Sequence, residues 1–386
     1  MAPRPISSLG EQLTLEELGL DPHAALARLR DQEPVAWVSA LDGWLVTSRD
    51  LCIEVMRDAV RFTVDDPRFS TAQVVGPSML SLDGSEHRRH RDPFAKAFLG
   101  PDARGRFAAR VEAMARRRAE TLRPDGRAEI RRDLAGPLAV DVVASALDLI
   151  DAEPAAILGW YDEIVAAVDR ISAGEEMDRP AQDAVGALDR HVRATIDGGT
   201  GVLAAATATL APPEVVSDAA VMMFGGIETS EGMTTTLFWH LLNDPDQLAA
   251  VRADRTLLPG AIEESLRLEP AAARVDRYAT TDVEVGGAMI RRGDLVIVSL
   301  TAANRDPATF EDPDTFDVRR PNARAHLAFA QGPHACVGLH LARLETEAAM
   351  SAVLDAWPDV HLDAGAQPPT GLVFRKPRSL PVRWTV

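Results

Sequence analysis

Across most of the 386-residue chain, apolar positions recur every three to four residues, the spacing of helices with one buried face. Leu15, Leu18, Leu20, Ala24, Leu26 and Leu29 predict a helix over 14–31, and Leu51-Cys52-Ile53-Glu54-Val55 predicts a second from Arg49 to about Asp58. A third enters at Asp83-Gly84 and runs to about Phe98. From Pro101 to about Leu210 the helical pattern is nearly continuous, with breaks near Pro124-Asp125-Gly126, at Pro154, and between Gly174 and Pro180. Glu214 to Asn243 reads as one long apolar helix stopped by Asn243-Asp244-Pro245, and Ala261–Arg267 and Leu339–Val353 complete the set.

Strand-like alternation is confined to three stretches, about 34–48, 277–300 and 370–386. Val35–Val38 and Trp44–Thr47 flank Asp42-Gly43, a hairpin signal. Val283–Val285, Met289–Ile290 and Asp294–Leu300 form the second group, and Leu372–Phe374 with Val382–Trp384 the third. Residues 62–82 are irregular, rich in Asp, Pro, Ser and Gly. No repeat or linker divides the chain, so the expectation is one domain over 1–386, mainly α with a minor β region (α+β).

Composition narrows the function classes. With 46% hydrophobic residues the chain can bury a sizeable core, and a net charge of −17 argues against nucleic acid as a partner. The only two cysteines, Cys52 and Cys336, exclude a disulfide framework and suit a reducing cytoplasm. No signal-peptide-length apolar core occurs at the N-terminus, and no window of about 18 apolar residues could span a membrane. A cytoplasmic protein without membrane contact is expected.

Cys52 sits in an amphipathic helical pattern and reads as core. Cys336 does not: it lies in Phe329-Ala330-Gln331-Gly332-Pro333-His334-Ala335-Cys336-Val337-Gly338, a Gly/Pro-dense loop ahead of a helix start. Free N–H groups and the positive helix end there favour thiolate, the metal-binding form. A second unusual stretch is Phe224-Gly225-Gly226-Ile227-Glu228-Thr229-Ser230, inside the long helix. Adjacent glycines in a helix cost about 1 kcal/mol each against alanine. Close helix packing or a break would explain them. So would a need for room, since Met222, Gly225, Gly226 and Thr229 share one stripe, and the Thr229 hydroxyl can return to the Gly225 carbonyl.

The Cys336 loop resembles the heme-binding loop of the cytochrome P450 family, with Ala330 standing where that family most often has glycine, which asks for a slightly different loop conformation. The glycine pair with Glu228-Thr229 is similar to the family's oxygen-activating motif, with Ser230 in place of a second threonine. His87 and Arg91 match its His-x-x-x-Arg segment, Glu264 and Arg267 its Glu-x-x-Arg pair, and Arg320 the arginine that joins that pair. The resemblance implies a single triangular fold holding heme b between the long helix and the loop. Cys336 would be the axial metal ligand, His87, Arg91, Arg277 and His334 would contact the propionates, and Gly225, Gly226, Phe329 and Gly338 would adjoin the cofactor. Glu264, Arg267 and Arg320 would be structural.

The same resemblance implies a monooxygenase that activates O2 with two electrons ultimately from NAD(P)H, Thr229 and Glu228 passing protons. No flavin or iron–sulfur motif is present, so a ferredoxin-type donor and its reductase are expected partners, docking near Arg343. The substrate would be a mainly apolar small molecule, a secondary metabolite or a catabolic substrate, and the protein a monomer. Val74, Val75, Met79, Leu80, Met222, Met223, Val275 and Leu372 are pocket candidates, with Phe224, Ala271 and Ala272 beside them. A non-catalytic heme sensor or carrier, or a peroxide-driven peroxygenase, are the alternatives.

Overall fold

The structure, a computed structural model, describes residues 9–99, 103–149, 152–172 and 175–386. The N-terminal octapeptide and the break near Gly174 lie outside the described residues. Where a single helix is predicted over 14–31, Asp21-Pro22 divides it into α1 (Leu15–Leu20) and α2 (His23–Gln32). The residue before a proline is driven from helical geometry. The hairpin forms as expected from β1 (Val35–Val38) and β2 (Gly43–Val46), with Asp42 in left-handed conformation at the turn. After α3 (Arg49–Arg57), the irregular stretch contains a short strand β3 (Phe62–Thr63) and one helix, α4 (Ser70–Val75).

The helical run is α5 (Gly84–Leu99), α6 (Ala103–Leu122), α7 (Gly136–Ala146), α8 (Pro154–Ser172), α9 (Arg179–Asp197) and α10 (Gly201–Ala206). It is interrupted by a strand the pattern does not reveal, β4 (Arg127–Glu129), and by a wide turn of π pitch, Ile130–Ala135. Three residues are too few for an alternation to register.

The long helix α11 (Pro212–Asn243) has 32 residues and is about 48 Å long. Two prolines open it, the Glu214 carboxylate accepts the Ala211 amide at 2.8 Å, and Asp244 both ends it and caps α12 (Pro245–Ala253). Residues 215–221 and 230–238 of α11 are buried, whereas Met222, Phe224, Gly225, Gly226, Glu228 and Thr229 are not fully covered.

There follow α13 (Leu258–Leu268), β5 (Arg274–Ala279), β6 (Val283–Val285), β7 (Ala288–Ile290), β8 (Leu295–Ser299), α14 (Leu300–Ala303) and α15 (Leu339–Ala356). The tail adds β9 (His361–Leu362), β10 (Pro369–Thr370), β11 (Lys376–Pro377) and β12 (Pro381–Arg383). Leu372–Phe374 is not a strand; Phe374 makes a lone bridge to Ala272.

The largest sheet runs β1-β2-β8-β5-β3, with β2 and β8 parallel and the other pairs antiparallel. One face, with Val275 and the Val296 and Val298 it neighbours, packs with α3; the other, with Ile297, packs with α2. The main core is helical and gathers α5 to α8, α11, α13 and α15. Both the Cys336 loop, through Phe329 and Val337, and the middle of α11, through Met222 and Phe224, pack against it.

Candidate active site

The Cys336 loop owes its path to two left-handed residues. Gly332 has φ +76, and a Cβ there would lie 2.5 Å from the Met56 carbonyl oxygen, so the loop is laid directly on the end of α3. Ala330 has φ 55, a left-handed turn that glycine suits best. The Cys336 amide donates to the Phe329 carbonyl at 2.9 Å, closing the loop. Around the sulfur, burial pushes the thiol up; the Gly338 amide, Arg91 and Arg343 pull it down without prevailing. The amide and the two cations favour the thiolate form against that burial, and a bound metal would favour it further.

Arg91 of α5 donates to the carbonyl of Ala335, next to the cysteine. One turn earlier, His87 is 3% exposed, its Nε2 has no partner, and its ring is 4.2 Å from that of His334. Burial first, then His334 and Arg91, lower its affinity for a proton to about 4, so the ring is neutral at pH 7. His334 Nε2 in turn lies 2.8 Å from Asp83 Oδ1. Burial would raise Asp83, but bonds from His334, Thr63 and the Val64 amide hold it down at about 2. Arg277, 4% exposed, is influenced by the same Asp83. Asp83 thus bonds His334 and acts electrostatically on His87 and Arg277, and Arg91 acts on His87, so the structure brings the four into one charged neighbourhood. Its Asp-Gly position at the start of α5 is the signal that would have found it.

The glycine pair divides. A Cβ on Gly225 would meet nothing within 4 Å, whereas on Gly226 it would reach 2.5 Å from Val143 Cγ2 of α7. Gly225 therefore leaves open room, and Gly226 is a close-packing glycine rather than a cofactor-facing one. Thr229 donates to the Gly225 carbonyl at 2.5 Å, as the spacing predicts. Glu228 is held from two sides: the Tyr161 hydroxyl of α8 donates to Oε2, and Lys376 Nζ of β11 lies 2.8 Å from Oε1. Neither partner carries a sequence signal, being 67 and 148 residues away. Behind Thr229, Ser230 hydrogen-bonds Glu345 of α15, and Thr234 meets Thr346 at 2.9 Å, so the helix following the cysteine is bonded to α11.

Glu264 and Arg267 pair at 2.7 Å with both side chains fully buried, and Arg320 joins at 2.8 Å. Arg267 also donates to the carbonyls of Asn304, Pro313 and Thr315, which is how the pair orders the 304–320 loop. Arg343 is bound at 2.7 Å to Glu263 and stacked 4.5 Å over Phe329, so it supports the loop rather than offering a free docking charge.

Of the pocket candidates, Leu80, Met222 and Val275 are partly accessible, and Val74, Val75 and Met79 are 5–9% exposed. Met223 is fully buried in the helical core, and Leu372 packs with the α1 and α2 cluster; neither belongs to the pocket set. Phe374 takes the position beside α11 instead, 5.6 Å edge-on to Phe224.

A cysteine at a helix start, a neighbouring group of histidines and arginines with an unpartnered buried imidazole nitrogen, and a long helix opened at Gly225 suit a flat, anionic, metal-bearing cofactor. The donor set fits heme: one soft sulfur for iron, and cations and imidazoles for carboxylates. That is the class the geometry defines.

The comparisons agree. A family model described as Cytochrome P450 matches residues 203–371. Cytochrome P450 monooxygenase PikC of Streptomyces venezuelae is 33% identical, over 96% of this chain and 92% of its own. The 20-oxo-5-O-mycaminosyltylactone 23-monooxygenase of Streptomyces fradiae is 32% identical over 87% of this chain and 83% of its own. Among solved structures, CalO2 superposes with a TM-score of 0.85 at 29% identity, covering 95% of this chain and 96% of that one. P450BioI, solved with an acyl carrier protein, gives 0.86 at 25%, covering 96% and 100%. The chain belongs to the cytochrome P450 family, and it is a monooxygenase that uses heme iron and O2. No helix among the described residues is long and apolar enough to cross a membrane.

Proposed function

We propose that the protein oxidises a mainly apolar small molecule of the secondary-metabolite type, taking electrons from NAD(P)H through a ferredoxin and its reductase. Its relatives are monooxygenases acting on secondary metabolites, which supports the substrate class. Heme iron, when bound, supplies oxygen activation. Cys336 would hold the iron, with the Gly338 amide, Arg91 and Arg343 favouring the anionic sulfur. His87, His334, Arg91 and Arg277 would take the two propionates, and the unpartnered His87 Nε2 is the observation that most favours this. Gly225 leaves room that the cofactor would use, and Phe224 and Phe374, packed edge-on, would give apolar cover against water. Thr229, pinned to the Gly225 carbonyl, and Glu228 would move protons into this dry site.

Two variants test the reading. Cys336→Ser is expected to abolish the thiolate-type spectrum of the reduced carbon monoxide adduct; a retained spectrum removes Cys336 as the ligand. Thr229→Ala is expected to bind heme and substrate but to divert electrons to hydrogen peroxide. Full product coupling in that variant removes Thr229 from the proton path.

A further inference from the structure

Glu228 is only the inner member of a larger charged group. Glu231, one helical turn later, lies 3.1 Å through its Oε1 from the same Lys376 Nζ that contacts Glu228 at 2.8 Å. Arg131, from the π turn ahead of α7, donates to the same Glu231 Oε1 that Lys376 approaches. The order is Arg131, Glu231, Lys376, Glu228, with the Tyr161 hydroxyl closing the inner end. Exposure is greatest at the Arg131 end: a third of its side chain is accessible, against 10% for Glu231 and 13% for Lys376 and Glu228.

The surrounding backbone admits this approach. A Cβ on Gly136 would sit 3.2 Å from a Glu231 oxygen, and one on Gly232 would sit 3.6 Å from the Lys376 Cβ. From α8, Asp162 faces the same group, and its proton affinity is raised by burial and by Glu231, Glu163 and Glu228. Glu129 adds negative charge near Arg131.

Two carboxylates about one ammonium have a consequence for protons. When either carboxyl takes a proton, the other keeps Lys376 as its counter-ion, while Arg131 stays beside Glu231 and the Tyr161 hydroxyl beside Glu228. A proton can then pass between them with Lys376 paired throughout: one O–H bond on Glu231 breaks, one on Glu228 forms, and no electrons move. We propose that Glu231 is the proton-loading carboxyl of this site and Lys376 the positioning residue that couples it to Glu228, so that solvent protons enter beside Arg131 and β11. Tyr161 restrains Glu228 from the α8 side. This rests on the reading that Glu228 and Thr229 deliver protons; Glu231 and Lys376 act through Glu228.

The test uses holoenzyme with surrogate redox partners and compares Glu231→Gln, Lys376→Met, Lys376→Arg, Glu228→Gln and Thr229→Ala. Each is first checked for the reduced carbon monoxide spectrum, so that misfolded protein is discarded. Glu231→Gln and Lys376→Met are expected to raise the solvent deuterium isotope effect on product formation severalfold and to shift the pH profile of coupling, with Lys376→Arg restoring both. A separate readout needs no turnover: infrared titration of resting enzyme, in which Glu231→Gln changes the pH at which the band lost in Glu228→Gln takes up its proton. The proposal is overturned if Glu231→Gln leaves the isotope effect, the pH profile and the Glu228 band unmoved while Thr229→Ala and Glu228→Gln uncouple. If those last two remain fully coupled, the underlying relay reading fails, and the inlet with it.

Discussion

Glu345→Gln should make the protein more stable, and increasingly so as pH rises. Glu345 is 1% exposed on α15, its Oε1 has no partner, and among the described residues no basic side chain pairs with it. Burial pushes its carboxyl from 4.5 up to about 8, and the Ser230 hydroxyl offsets only part of that. The native state therefore holds a proton that the unfolded chain releases above about pH 4.5. The stability this neutral acid contributes is fully present below that point and is lost as pH climbs through about 8. At 1.36 kcal/mol per unit, a difference of about 3.5 units corresponds to a ceiling of about 5 kcal/mol, of which about 3–4 kcal/mol develops between about pH 5 and about pH 8. Glutamine has the same shape, can still bond Ser230 and does not titrate. Urea unfolding of wild type and variant, followed by tryptophan fluorescence at several pH values, should show the stability difference growing by about 1.4 kcal/mol per pH unit across that window. Parallel curves would refute the argument, since they would mean that Glu345 has the same proton affinity in both states.

Glu264→Gln leaves Arg267 buried beside a neutral amide and should cost about 3–5 kcal/mol, read as a lower urea midpoint with poor heme retention. Gly226→Ala drives a methyl into Val143 and should lower the melting temperature by the equivalent of about 1–3 kcal/mol, with Val143→Ala restoring part of it. Gly225→Ala, facing open space, should instead stabilise cofactor-free protein by about 1 kcal/mol; a melting temperature equal to that of Gly226→Ala would contradict the division of the pair. Ala330→Gly relieves a left-handed alanine at φ 55 and should raise the melting temperature by the equivalent of about 1 kcal/mol, with an unchanged spectrum.

The helices and the motif residues were legible because their causes are local. A 3.6-residue apolar rhythm, Pro212-Pro213 ahead of Glu214, and the Asn243-Asp244-Pro245 stop describe α11 almost to the residue. The cysteine loop is legible through its two glycines and Pro333. The failures come from contacts between distant segments. That Gly225 faces space and Gly226 faces Val143 depends on where α7 lies, which no spacing on α11 encodes. Tyr161 and Lys376 become partners of Glu228 only once α8 and β11 are brought against one helix. Leu372 departs from the pocket because the Gly371 amide is bonded to the Gly19 carbonyl of α1 at 2.7 Å, turning the hairpin toward the N-terminus.

The glutamates near α11 show how one residue type is given different tasks by its neighbours alone. Glu264 has two guanidiniums and no access to solvent, so it is locked and can only hold the 304–320 loop in place. Glu345 has a hydroxyl and, among the described residues, no cation, so burial keeps its proton on. Glu228 and Glu231 share one ammonium, with a phenol at one end and a partly exposed arginine at the other. Of these arrangements only the last leaves a proton somewhere to come from and somewhere to go. It is also the one that adjoins Thr229. A locked acid or a permanently neutral one at position 228 would leave the threonine hydroxyl with nothing to draw on, so the proposed proton delivery would depend on Lys376 and Arg131 as much as on the motif residues themselves.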